Sequence, residues 1–540
     1  MIKKLQKTLE NHHAKLFFFL VLAGFINLYL SFLTNFFYAN GDSAVVVDLI
    51  NNLGVYSKFR TMFAESLYHL RPYLSANVEQ YCNLNLHNPN EIPDFIRQEH
   101  SYLIAIILSL FVKLGINSLN VVSFVFAANF ILIFVTIFFF LKEKINYSLL
   151  YLFILAIMIW PPISVGFVGQ FYFDRLYIFP MFCLILAYYS FSNSEKKSLF
   201  LLILVLGFYT SLIHERAALM VGLFLCGYSL LITNFKLYKN KKILFIFFYG
   251  LIALSYFIFY TKFYINSSTS HYSSSFNIDT ILYVIKNIFS PYYGPLSFKL
   301  FIINLPILLI GFFDKRLFFL AICSILPNYM ITIGGAEKNG LSTHYHSFYI
   351  PFLIASAVVG FEKLHKKKFF ANKKKFFYFF LTFLILFNNS HDYSNTKKIV
   401  AFKEFAPGLK KFYSSILYPL DNEKRSFLKK NNFEIKQSIK ESIPYRSSVD
   451  MDESMMPHFA SQNYKVKFFP VGIGLSQYLI VPFKPDNSKN SYKMRFPSFK
   501  SKKENEEIEI CLTKKINNYY NKVNEFIFWD QSKYILYVLK

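Results

Sequence analysis

The chain has 540 residues, of which 54% are hydrophobic and 20% aromatic, and its mean hydropathy is positive. That excludes an ordinary soluble domain and fits a polytopic membrane protein. The formal net charge of +26 would suit a nucleic-acid binder, but the lysine clusters sit between apolar runs, where cytoplasmic loops belong, so nucleic acid is set aside as a partner.

The first fifteen residues are basic, with Lys3, Lys4, Lys7 and Lys15. The apolar run behind them is about membrane length and lacks a small-residue cleavage site. It reads as an uncleaved anchor with a cytoplasmic N-terminus. The first span is expected at 16–37. The loop 39–101 carries seven acids and only four Lys or Arg, which places it outside. Residues 102–114 are apolar but only 13 long, short of the ~20 a crossing needs, and read as an interfacial or re-entrant piece. Basic junctions follow at 142–144, 196–197, 236–242, 315–316 and 363–375. With all of them cytoplasmic, further spans fall near 119–141, 149–165, 175–193, 199–213, 217–233, 243–264, 299–313, 317–333, 345–361 and 376–390.

After Ser390 the chain turns charged, with short strand-like runs at 464–469, 478–481, 526–529 and 534–539. Residues 421–443 have helical character, with Asp421 as a candidate N-cap. The fold class expected is an α-helical polytopic membrane protein of about 11 transmembrane helices with a small extracytoplasmic α/β C-terminal domain. Residues 1–390 form the membrane domain, with 39–101 as its large first external loop, and 391–540 form the external domain. The protein is placed in the inner (cytoplasmic) membrane, N-terminus inside and C-terminus outside.

Of five cysteines, Cys183, Cys226 and Cys323 lie in apolar runs as small core residues. Cys82 and Cys511 lie in external polar segments. They fit no CxxC or metal spacing, and whether they pair is left open.

Several polar residues stand at external ends of spans. Asp42 and Asp48 follow the first span. A carboxylate there can deprotonate an acceptor hydroxyl or hold a divalent cation, Mg or Mn, beside a lipid phosphate. Asp42 is nearer the membrane and is preferred, although acids are ordinary in any external loop. His214, Glu215 and Arg216 lie between two apolar runs with almost no other loop residues. Such groups at membrane depth face a cavity or each other, but three polar residues also make an ordinary turn. Asp174-Arg175 begins a span in the same way. His344 and His346 form an H-x-H pair with no evident third metal ligand. They can equally hold a phosphate through hydrogen bonds. Arg60, Arg71 and Arg97 are candidate phosphate forks. No P-loop, GxGxxG, HExxH or Ser-His-Asp pattern occurs in a suitable context, which argues against an ATP-driven pump and a cytosolic nucleotide-sugar site.

Four stretches resemble a predicted membrane-protein family of unknown function related to the GT-C glycosyltransferases. They are Glu99-His100-Ser101-Tyr102, His214-Glu215-Arg216-Ala217-Ala218-Leu219, Thr343-His344-Tyr345-His346 with Ile350-Pro351-Phe352-Leu353 and Gly360, and the tail pieces Ile443-Pro444, Met456-Pro457-His458-Phe459 and Phe469-Pro470. The chain departs from that family's pattern at Ser43-Ala44, at Arg216 and around Phe171-Tyr172. The resemblance implies a GT-C-like fold. It implies transfer of a hexosyl or pentosyl group from a polyprenyl-phosphate-linked sugar to a lipid, glycan or protein acceptor on the outer face of the bilayer. A first-loop acid, Asp42 or Asp48, would be base or metal ligand. His100, Arg97, Asp174, His214, Glu215, Arg216, His344 and His346 would bind substrate. A lipid-linked glycan flippase or transporter, and a non-catalytic envelope scaffold, are the competing readings. Charges along the spans are few, which favours the enzyme over the flippase.

Overall fold

The computed structural model describes residues 2–35, 41–53, 77–82, 102–164, 173–263, 293–330, 344–366, 381–382, 434–452, 454–460, 464–486, 491–497, 500–528 and 531–540. In chain order its helices are α1 (Ile2–Asn35), α2 (Gly41–Asn51), α3 (Val78–Cys82), α4 (Ile104–Lys113), α5 (Ser118–Leu141), α6 (Tyr147–Met158), α7 (Ile178–Ser194), α8 (Lys197–Ser211), α9 (Glu215–Thr233), α10 (Lys241–Phe263), α11 (Tyr293–Gly311), α12 (Lys315–Met330), α13 (Ile350–Lys366), α14 (Met456–Phe459) and α15 (Lys502–Tyr519). Two 3-10 turns, Phe173–Tyr177 and His344–Phe348, lead into α7 and α13. Among the described residues six helical stretches are long and apolar enough to cross a membrane: His13–Leu30, Ser118–Leu141, Phe173–Ser194, Glu215–Thr233, Lys241–Thr261 and His346–Lys366. By these helices the chain is a membrane protein. The α4, α6, α8 and α11 helices are apolar but shorter, and the expected span at 376–390 lies outside the described residues except for 381–382.

The chain divides into two compact units. One takes Met1–Tyr29, His100–Ile104 and Ser123–Asp421, the other Leu30–Glu99, Ala105–Val122 and Asn422–Lys540.

In the first unit α13 is the central helix, with every residue from Ile350 to Glu362 buried. It packs against α7, α11 and α12. A Cβ on Gly360 would run into the carbonyl of Ile310, and one on Gly311 would meet Ser356 Oγ at 2.5 Å. Glycine at these two positions therefore lets the α11 and α13 backbones touch, the usual device for packing helices where water gives no hydrophobic drive. Gly222 and Gly250 do the same for α9 and α10: a Cβ on Gly222 would lie 2.7 Å from the Gly250 carbonyl. Outward-facing Phe18, Phe19, Phe248 and Ile252 are exposed, as suits a lipid-facing surface.

The lysine-rich junctions gather at one end of this unit. Lys144 pairs with Glu362 at 3.1 Å and Lys363 with Asp314. The Lys363 ammonium also lies 5.8 Å from the Tyr189 ring, near the end of α7. Asn240 donates to Glu195 at 2.9 Å. The start of α1 joins this end, since His13 stacks on Tyr147 at 4.8 Å and its carbonyl accepts from Tyr151. The starts of α7, α9 and α13 consequently point to the opposite end.

The second unit carries a six-stranded sheet of order β2-β1-β3-β6-β5, with β4 on β3. The strands are β1 (Ser448–Met451), β2 (Lys465–Phe468), β3 (Tyr478–Asp486), β4 (Ser491–Met494), β5 (Tyr520–Ile527) and β6 (Lys533–Leu539). The strands β1, β2 and β3 run parallel, and β6 is antiparallel to β3 and β5. The α15 helix starts from a capping box in which Ser501 and Glu504 bond each other's backbone N–H. Pieces of the first loop complete this unit. The α2 helix packs on α14, and Asn51 Nδ2 donates to the Ala460 carbonyl at 2.8 Å. The α3 helix is joined to α15 by a disulfide between Cys82 and Cys511, beside the buried Tyr81, whose hydroxyl donates to Pro497 O at 2.7 Å. Of the expected helix at 421–443 only residues 434–443 are described, and 434–441 are helical, with 442–443 already turning out of the helix; Asp421 lies outside the described residues.

Asp450 is fully buried in β1, opposite Lys467 of β2. Burial pushes its carboxyl up to about 8, with Lys467 pulling the other way. In the unfolded chain the group ionises in the ordinary carboxylate range, near 3.9. Between these values the folded state holds a proton that the unfolded state has lost, so this contribution to stability falls as pH rises, by up to about 1.4 kcal/mol per pH unit. Lys436, lowered to about 7 by burial, acts in the opposite sense but only above that value. His458, held well below its ordinary value by burial, also acts in the opposite sense, below about 6.5. The ratio of β1 and β3 amide exchange protection in the wild type to that in Asp450→Asn, corrected for intrinsic rates, should therefore decline from pH 5 to 7.

Candidate functional site

The 3-10 turn Phe173–Tyr177 is buried throughout, including Asp174 and Arg175. Two bonds hold it. Asn129 of α5 donates its amide to the Leu176 carbonyl at 2.8 Å, and the Tyr177 hydroxyl reaches the Phe348 carbonyl at 3.4 Å. The second bond joins it to the turn His344–Phe348.

Next to it stands the start of α9. His214 is the N-cap, in extended backbone, and its Nδ1 accepts the Arg216 N–H at 3.0 Å. A cap must accept, so Nδ1 is the bare nitrogen and a neutral ring carries its proton on Nε2. That nitrogen faces Asp174 Oδ1 at 3.4 Å. Glu215 Oε2 lies 3.2 Å from Nδ1. Both carboxylates and the imidazole are buried, each residue about 1% exposed. Full protonation of His214 would let the ring bridge both acids but would strip the Arg216 amide of its acceptor. The helix cap and the acid pair thus compete for one nitrogen. The Tyr102 ring meets His214 edge-on at 5.2 Å and Phe173 at 4.9 Å, and Phe348 stands 6.3 Å from His214. His346 is buried and its Nδ1 shares a hydrogen bond with the Tyr349 hydroxyl at 2.9 Å.

Asp174, His214, Glu215 and the turn bearing His346 are therefore brought together at the end away from the lysines, with Arg216 on the first turn of α9. Arg97 and His100 lie outside the described residues, as do the side chains of Asp42 and His344. The backbone puts Asp42 in the first turn of α2 and His344 at the start of its 3-10 turn, so Asp42 is helical where an open loop was expected. Asp48 belongs to the second unit, buried in α2 with Asn52 Nδ2 donating to its carboxylate at 2.9 Å. Among the described residues no three His, Cys, Asp or Glu side chains converge to hold a metal, so no step is derived through one.

Comparison with family models, with curated proteins and with solved structures returned no match. The site must therefore be read from its own geometry. Tyr177, Asn129 and Tyr349 join it without having been singled out in the sequence, and Tyr102 had appeared there only as part of the Glu99-His100-Ser101-Tyr102 stretch. Asn129 carried a signal there, as an amide inside a 24-residue apolar helix.

The capping geometry makes a prediction. His214→Ala removes the cap and should cost about 1 kcal/mol of stability or more. His214→Asn restores a good cap and should unfold close to the wild type in a detergent thermal melt.

Proposed function

We propose that the chain is a membrane glycosyltransferase of the GT-C kind. It would move a sugar from a polyprenyl-phosphate carrier to a lipid, glycan or protein acceptor on the outer face of the inner membrane. The observation that carries this reading is the buried Asp174–His214–Glu215 cluster, set beside Arg175 and Arg216 at the end opposite the basic junctions. A carboxylate there can take a proton from an acceptor hydroxyl, and the guanidinium groups can hold the phosphate that leaves. Within the cluster Asp174 is the candidate base; Asp42, on the helix that follows the first span, is preferred on its position in the sequence alone. The buried, amide-bonded Asp48 is assigned a structural role.

The same reading has eleven spans, a cytoplasmic N-terminus and an extracytoplasmic tail. Two features support it. The N-terminal residues near His13 lie at the lysine-rich end, which the positive-inside rule puts in the cytoplasm. The Cys82–Cys511 disulfide suits an oxidising compartment. A reporter fused after Lys540 should be active only outside, and both thiols should resist maleimide until a reductant is added. Cytoplasmic reporter activity would reverse the topology.

Transfer is tested with labelled sugar on a lipid carrier in isolated membranes. Asp42→Asn should lower it ~10²–10⁴-fold with normal membrane insertion. Asp174→Asn and Glu215→Gln should lower it strongly, and Asp48→Asn less. Full activity in all four would reject the mechanism. A buried acid–imidazole trio also suits a proton-driven flippase; that reading gains if the wild type translocates the lipid-linked glycan without transferring the sugar.

A further inference from the structure

Asn129 uses only half of its side chain. Its amide nitrogen is committed to the Leu176 carbonyl at 2.8 Å. Its oxygen has no hydrogen-bond partner among the described residues, although the residue is 93% buried. Two positions before Leu176 stands Asp174, whose Oδ1 likewise has no aligned donor. The 3.4 Å approach of His214 Nε2 is not aligned as a hydrogen bond. Two acceptors thus bracket one short 3-10 turn, and a buried acceptor left without a donor is costly. A ligand that meets both must donate.

A cation and a polyhydroxyl group both satisfy acceptors. The charges around Asp174 decide between them. Arg216, Glu215 and Arg175 all act on it, so two acids stand against two guanidinium groups and leave no net negative charge to hold a free cation. Among the described residues no three His, Cys, Asp or Glu side chains converge to hold a metal either, whereas neutral hydroxyls need neither.

We propose that Asn129 Oδ1 and Asp174 Oδ1 form a sugar-hydroxyl subsite, with Asn129 both anchoring the turn through its nitrogen and reading a ligand hydroxyl through its oxygen. This rests on the glycosyltransferase reading for the carrier, but not for the hydroxyl chemistry. It makes Asn129 a specificity residue buried in an apolar helix, one helix away from the acids in sequence.

The test uses full-length protein in nanodiscs and two probes. One is a short-chain polyprenyl phosphohexose compared with the bare polyprenyl phosphate. The other is an alkyl glucoside compared with an alkyl chain lacking hydroxyls. The wild type should prefer the glycosylated member of each pair. Asn129→Leu, of similar size, should lose that preference by roughly tenfold, the value of one or two hydrogen bonds, while binding the bare phosphate as before. Asn129→Asp keeps the acceptor and loses the anchor, so it should retain the preference within about threefold of wild type. Equal loss in both variants would show that only the anchor matters and overturn the subsite. So would a preference unchanged in Asn129→Leu, or a preference satisfied by Na⁺ or Mg²⁺ in place of sugar. Asn129-dependent binding of the alkyl glucoside without binding of the polyprenyl compound keeps the subsite and removes the polyprenyl carrier. Binding of the polyprenyl sugar that ignores Asn129 does the reverse, and failure of both probes rejects both.

Discussion

The first unit depends on how closely α11 and α13 approach. Gly360 lies against the Ile310 carbonyl and Gly311 against Ser356, a contact that no larger residue permits. Because of it, α13 can be surrounded on all sides, buried from Ile350 to Glu362. A helix fixed that firmly transmits position along its length. At its far end Glu362 and Lys363 lock the basic junctions through Lys144 and Asp314. At its near end it delivers the turn with His346 and Phe348 beside His214. The polar cluster is thus held by packing more than by its own charges, which taken alone would rather be solvated.

Within that frame the cluster is economical in protons. His214 is asked to cap a helix and to neighbour two carboxylates, and its two nitrogens cannot do everything at once. This arrangement is a means of tying proton movement to backbone geometry. A group that takes a proton from His214 or gives one to it also changes the strength of the α9 start. Such coupling is absent when an acid stands alone in a loop, and it is the chemical reason to look here for reactivity.

The helical framework was legible in the sequence because lysines punctuate it. Apolar runs bounded by Lys142, Lys196, Lys236, Lys315 and Lys363 became helices ending there. The strand-like runs at 464–469, 478–481 and 534–539 fell on β2, β3 and β6, whereas the run at 526–529 caught only the end of β5. Other features were not legible. The helix over Gly41–Asn51 was hidden because its acids, Asp42 and Asp48, look like loop residues, although the Ala-Val-Val-Val run between them is buried. The α15 helix carries eight Lys or Glu among its 18 residues, and its signal was the S-x-x-E box at Ser501–Glu504. At the site, Asp174, His214 and Glu215 stood out singly as ionisable residues beside spans. Their meeting was not legible, since Asp174 and His214 belong to different helix starts and are brought together only by packing.

The disulfide has a consequence for how the molecule is made. Cys82 and Cys511 are separated by 429 residues of chain. At synthesis rates of ~5–20 residues per second, the first cysteine waits about 20–90 s for its partner to leave the ribosome. During that interval its thiol has no partner to pair with, and α2 and α3 have nothing to pack on, because α14 and α15 are still to come. The second unit therefore cannot fold as the chain emerges. It must assemble after the helices between its two cysteines have been inserted, and the cell has to keep Cys82 from pairing elsewhere until then.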